Sequence, residues 1–192
     1  MMRSILVGIL VLTAAVVGWL TFQSYQSRHS GEPFGAPFAL VDQKDQPITE
    51  AAFRGHPSAV FFGFTHCPEV CPTTLFELDG WLKKLGDDGK DIKAYFVSVD
   101  PERDTPAAMD TYVSNVSNRI TGITGDPDKV AAMAKSFGIY ARKVPLDGGD
   151  YTMDHTASVL LLDGKGDFFG TIAYGESGDT AVAKLKRLAG KG

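Results

Sequence analysis

The chain has 192 residues, 44% hydrophobic and 22% charged, with a formal net charge of −4. That length and apolar content suffice for one sizeable core. The mild acidic balance and the lack of any Lys/Arg block leave no electrostatic footprint for nucleic acid, so a nucleic-acid partner is not expected.

From Ser4 to Phe22 no residue is charged. At about 1.5 Å per residue this run spans roughly 28 Å as a helix, close to the thickness of a bilayer core. Arg3 precedes it, and Trp19, Phe22 and Tyr25 lie near its far end, where aromatic side chains suit a membrane interface. A cleaved signal peptide is the rival reading, but no A-x-A-like site follows the run. The expected organisation is a cytoplasmic tail 1–3, one transmembrane anchor 4–22, a polar Gly/Pro/Ser-rich linker 23–36 and one soluble domain 37–192. The setting expected is a single-pass protein of a bacterial inner membrane with its domain in the periplasm. There, paired cysteines oxidise unless something reduces or metallates them.

Along the domain, FALVD (38–42) and QPITE (46–50) predict a hairpin across Gln43–Asp45. SAVFFGF (58–64) is a continuous apolar run, the pattern of a strand buried on both faces. Pro72 suits the first turn of a helix, and Leu75, Leu78, Leu82 and Leu85 recur at helical steps, so 72–86 is a predicted amphipathic helix. IKAYFVSVD (92–100) is the next buried strand. Thr105 and Pro106 open a helix over 105–116, and 126–139 is another. ASVLLLD (157–163) and DFFGTIAYG (167–175) are strands joined by the turn 164–166, and 179–189 closes the chain as a helix whose Lys184, Lys186 and Arg187 complement its dipole. Buried strands joined through helices, then an antiparallel pair, define an α/β thioredoxin-like fold with a central mixed sheet flanked by helices.

The chain's two cysteines, Cys67 and Cys71, fall between the first core strand and the helix after it, each followed by proline. A disulfide across so short a loop removes little chain entropy and is a poor staple. The spacer is one residue longer than in the usual dithiol redox motif. It allows either a redox pair or a two-sulfur bite for a soft metal, Cu(I) or Zn(II). Cys71, next to Pro72 at the helix N-terminus, is the expected better-stabilised thiolate.

A metal site calls for a third ligand. His29 is in the linker, His56 reads as a solvated turn residue, and His66 points away from Cys67 as an extended-chain neighbour does. His155, in YTMDHTASVLLLD, is different: the fold lays the loop before that strand against the cysteine loop. Asp154 is then a candidate to orient the imidazole, while Met153 reads as core. In SVDPERDTP (98–106), Asp100 and Pro101 end a strand, Arg103 and Asp104 are placed to pair, and Thr105 caps a helix; the same acids and arginine also offer a partner surface.

With GFTHCPEVCP, SVDPERDTP and DHTASVLLLD in this order, residues 37–190 resemble the Sco/SenC family of membrane-anchored copper chaperones. The resemblance implies that Cys67, Cys71 and His155 bind copper, as Cu(I) or Cu(II). It also implies that the chain assists assembly of the binuclear copper centre of cytochrome c oxidase. The implied partners are the oxidase's copper-binding subunit and another periplasmic copper chaperone or thiol reductase. One departure is visible: where the family often has aspartate inside the cysteine motif, this chain has Glu69. An enzymatic alternative stands beside this reading: a thiol-disulfide reductase that uses Cys67 and Cys71 to keep the oxidase's copper-site cysteines reduced. A thioredoxin-like peroxidase and a redox or copper sensor are weaker readings of the same thiols.

Overall fold

The computed structural model describes residues 12–21 and 34–192. The chain divides into two units, 1–32 and 33–192. In the first, residues 12–21 form a helix, α1, with every residue exposed. Among the described residues no helix is long and apolar enough to cross a membrane. The expected tail 1–3, residues 4–11 and 22 of the anchor 4–22, and most of the linker 23–36 lie outside the described residues.

The second unit is built on a seven-stranded sheet ordered β2-β1-β5-β4-β3-β8-β9. Its centre is β3 (Ser58–Gly63), β4 (Lys93–Ser98) and β5 (Ile120–Thr124), paired in parallel. All of β3 is buried, as its unbroken apolar run requires. β1 (Ala39–Asp42) and β2 (Pro47–Thr49) form the expected hairpin, and Asp45 takes φ +58° in its turn. β8 (Val159–Leu162) runs antiparallel to β3, and β9 (Phe168–Ile172) antiparallel to β8.

Helices α2 (Val70–Leu85), α3 (Pro106–Val116), α4 (Pro127–Ser136) and α5 (Gly178–Ala189) flank this mixed sheet. α2 turns Cys71, Leu75, Leu78 and Leu82 inward, the three- and four-residue steps of one helical stripe. Thr105 caps α3 through the Ala108 N–H, and Asp126 caps α4. Leu75, Leu78 and Leu82 meet Phe61, Phe96 and Leu162 in a core with no solvent access.

Three strands escape the sequence reading. β5 is short and carries two threonines and a glycine, so it lacks the apolar run that marks β3 and β4. β6 (Ala141–Pro145) and β7 (Tyr151–His155) pair only with each other, in a separate two-stranded sheet. β7 alternates Tyr151, Met153 and His155 with Thr152 and Asp154, but over so short and part-exposed a segment the pattern does not mark a strand, and β6 carries none. α2 also begins two residues before Pro72, so that Cys71 lies inside its first turn.

Candidate metal centre

The cysteine segment leaves the end of β3 and turns at once. The Cys67 N–H donates to the Phe64 carbonyl at 3.3 Å, closing the turn. Glu69, the residue capping α2, makes no side-chain capping bond. The Cys71 N–H, one of the donors a helix start leaves unpaired, instead donates to Cys67 Sγ at 3.3 Å. A sulfur thus does the work of a capping oxygen.

The two thiols are unequal. Both are free; Cys67 is half-buried and Cys71 fully buried. The hydrogen bond from the Cys71 thiol, above all, holds Cys67 down to about 4; burial opposes this, while the backbone N–H groups of Cys71 and Glu69 reinforce it. Cys71 is pushed far up, first by that same bond to Cys67 and then by burial. This reverses the expectation that Cys71 is the better-stabilised thiolate. Its sulfur is sealed in the core, and the N–H it was expected to exploit serves Cys67.

Cys71 reaches its place because the neighbouring strand carries no side chain there. A Cβ on Gly63 would come within 2.8 Å of Cys71 Sγ and 2.7 Å of Phe96 Cε2. The last position of β3 must therefore be glycine for the sulfur to sit against the strand.

His155, the last residue of β7, brings its Nε2 to 3.6 Å from Cys71 Sγ. Its ring packs edge-on against Phe61 and Phe64, with centroids 6.1 and 5.7 Å away. Nδ1 lies 2.9 Å from the Thr156 carbonyl, which can only accept, so Nδ1 carries a proton. In the neutral ring Nε2 then presents a lone pair toward the sulfurs. The Thr156 carbonyl, rather than Asp154, orients the imidazole; Asp154 is exposed.

Beneath the cysteine loop lies Asp104, fully buried. It accepts from Thr65 Oγ1 at 2.6 Å, Ser98 Oγ at 2.7 Å and the Thr65 N–H at 3.2 Å. Burial raises its carboxyl, and these donors pull it back. The expected pairing of Arg103 with Asp104 does not form: Arg103 turns to Asp100 at 2.5 Å. Asp100 and Asp104 are both buried, so they offer no partner surface. The aspartates of the D-P-E-R-D run were legible as polar residues at a strand end. Their burial was not, because it depends on contacts distant in sequence, from Thr124 of β5 and Tyr151 of β7.

His66 is half-exposed and contacts Thr65 Oγ1 at 3.1 Å, in keeping with its expected surface role. His56 is half-buried, with Nδ1 3.4 Å from Ser58 Oγ. Among the described residues, no three His, Cys, Asp or Glu side chains form a ready-made metal cage. Cys67, Cys71 and His155 instead hydrogen-bond one another. The dimension is nonetheless metal-sized: bonds of about 2.3 Å to sulfur and about 2.0 Å to nitrogen at a tetrahedral angle hold the two roughly 3.5 Å apart. The donor set, two sulfurs and an imidazole, is soft.

A mixed sheet with two thiols at the N-terminus of the helix after β3 and a histidine closing over them defines a thioredoxin-like protein. The SCO1/SenC family model matches residues 26–190, and the chain belongs to that family. It is 45% identical to ScoI of Bradyrhizobium japonicum, solved with copper bound, with a TM-score of 0.74 over 81% of this chain and 99% of that one. Yeast Sco1, also solved with copper bound, is 33% identical, with a TM-score of 0.75 over 81% and 88% of the two chains. The mitochondrial protein SCO2 of Saccharomyces cerevisiae is 35% identical over 79% of this chain and 52% of its own length. The chain thus spans about half the length of that curated relative.

Proposed function

We propose that this chain is a membrane-anchored copper metallochaperone that holds copper on Cys67, Cys71 and His155 and delivers it to the copper-binding subunit of cytochrome c oxidase. The observation that carries this is the meeting of His155 Nε2 with Cys71 Sγ at 3.6 Å, beside a second sulfur on the same helix start. The copper-bound structures of the Bradyrhizobium and yeast relatives support the choice of metal. The proposed layout keeps an anchor at 4–22 and the domain at 37–192, facing the periplasm.

Copper is cargo here. Cys67 offers a thiolate at once, whereas Cys71 must give up its proton as the metal arrives, so loading releases protons. His155 enters with its lone pair fixed by Thr156. Three ligands with a half-exposed sulfur suit Cu(I) and leave an edge for an acceptor. A disulfide between the cysteines blocks this, so reduction must come first.

One observation also favours a thiol-disulfide reductase: an accessible low-pKa thiol beside a buried one is the asymmetry of a dithiol redox pair. The His155→Ala variant separates the readings. Copper stoichiometry is measured on the reduced 192-residue chain under Cu(I) and Cu(II). One copper per chain, weakened or spectrally changed without His155, upholds the chaperone. Binding indifferent to His155 sinks the three-ligand site and moves the reductase to first place.

A further inference from the structure

The β6–β7 hairpin carries His155, yet none of its strand residues is buried and it pairs with no strand of the main sheet. A two-stranded hairpin is marginally stable alone in water. A cavity of about 320 Å³ separates Ala141, Lys143 and Met153 of the hairpin from Val130 and Ala134 of α4. The hairpin overhangs this half-open pocket, and its apolar packing lies toward the His155 end, through Met153 against the core and the imidazole against Phe61 and Phe64.

Polar contacts to Tyr151, at the start of β7, hold the other end. Arg103 Nε donates to Asp100 Oδ2 at 2.5 Å. Its Nη1 donates to the Tyr151 carbonyl at 3.0 Å and to Asp150 Oδ1 at 3.3 Å. The guanidinium lies over the Tyr151 ring, 3.8 Å from its centroid. The Tyr151 hydroxyl donates to the other oxygen of Asp100 at 2.8 Å, which closes the loop. Lys143 adds its ammonium 4.7 Å from the same ring while pairing with Glu102. Asp100 is fully buried, and its N–H is bonded to Ser98 Oγ of β4, so the hairpin is tied to the end of β4.

Tyr151 and His155 are four residues apart on one strand, so they share a face about 13 Å apart. Fixing one fixes the other. We infer that Arg103, through its clasp on Tyr151 and Asp100, is the positioning residue for His155: closed, the clasp holds the imidazole on the sulfurs; open, the hairpin swings it away. The inference rests on His155 being a copper ligand. Opening leaves copper on two sulfurs, a state ready for ligand exchange with an acceptor.

The clasp is built to open. Among the described residues, Arg103 Nη2 is buried without a hydrogen-bond partner, which weakens the closed state. Asp150, its outer acid, is largely exposed. Planar stacking plus hydrogen bonds to two acids also explains arginine here, since a lysine ammonium cannot stack and fork at once.

The test uses the 192-residue chain with Arg103→Gln and Tyr151→Phe, the second losing only the hydroxyl. Amide hydrogen exchange is followed in the reduced metal-free protein, and the copper absorption spectrum in the loaded one. In Arg103→Gln, exchange at β6 and β7 should rise about tenfold or more while β3 and β4 stay unchanged. The copper spectrum should move toward that of His155→Ala, with Tyr151→Phe shifting less in the same direction. Unchanged hairpin exchange, or a rise spread evenly over the domain, overturns the clasp. If His155→Ala leaves copper binding untouched, the ligand reading fails, and hairpin exchange alone decides the clasp.

Discussion

Cys71 Sγ and His155 Nε2 stand 3.6 Å apart across 84 residues of sequence. They arrive there from different sheets: Cys71 from the helix after β3, His155 from the β6–β7 hairpin. The site is thus a tertiary product, and each element that feeds it gives a separate test.

Gly63 sets the position of the buried sulfur. A Cβ there would meet Cys71 Sγ at 2.8 Å and Phe96 Cε2 at 2.7 Å, and both side chains are fully enclosed. Gly63→Ala should lower stability by about 1–3 kcal/mol through overpacking and weaken copper binding as the sulfur moves. Urea unfolding and a copper competition titration measure the two effects. Unaltered values for both would mean that the strand end has slack the structure lacks.

The thiol asymmetry predicts one-sided chemistry. At pH 6 the reduced chain should take a single iodoacetamide adduct, on Cys67, with Cys71 modified only after unfolding. Peptide mass spectrometry reads the site, and equal labelling of both contradicts the assignment. Stability follows from the same asymmetry. Because Cys67 is depressed to about 4 in the folded state, its contribution is lost as pH falls toward 4 and grows as pH rises toward the unfolded thiol range. The stability difference between the reduced parent and Cys67→Ser should therefore widen from pH 4 to pH 8.

Asp104 anchors the cysteine loop through Thr65. Thr65→Val deletes the 2.6 Å bond to a fully buried carboxylate. It should destabilise the domain by about 1.5–3 kcal/mol, measured by chemical denaturation. A loss below a few tenths of a kcal/mol would show that the carboxylate finds another donor.

Thr105 caps α3 by accepting from the Ala108 N–H at 3.3 Å. Thr105→Ala should cost about 1 kcal/mol without touching the copper spectrum, because the cap is exposed and its bond is local to α3. A spectral change would tie the start of α3 to the site.

What the sequence made legible follows burial. β3, β4 and α2 declare themselves because a strand buried on both faces needs an unbroken apolar run and a packed helix needs its stripe. The structure puts Cys67 and Cys71 at the strand-to-helix turn and brings His155 Nε2 to 3.6 Å from Cys71 Sγ. β6 and β7 are short and at most half-buried, so the alternation of Tyr151, Met153 and His155 is too brief to declare a strand. Which thiol ionises was also misread. Helix position alone favours Cys71; complete burial and the turn that gives its N–H to Cys67 reverse the order. Arg103 was paired with its neighbour Asp104, but the chain bends so that Asp104 faces Thr65 and Ser98 while Arg103 reaches Tyr151.

The central claim is that one imidazole and two sulfurs hold the metal together. X-ray absorption on the reduced chain loaded with one equivalent of Cu(I) tests it most directly. The account predicts a shell of two sulfurs at about 2.3 Å and one nitrogen at about 2.0 Å, with the nitrogen lost in His155→Ala. A sulfur-only shell that is the same in parent and variant would contradict it.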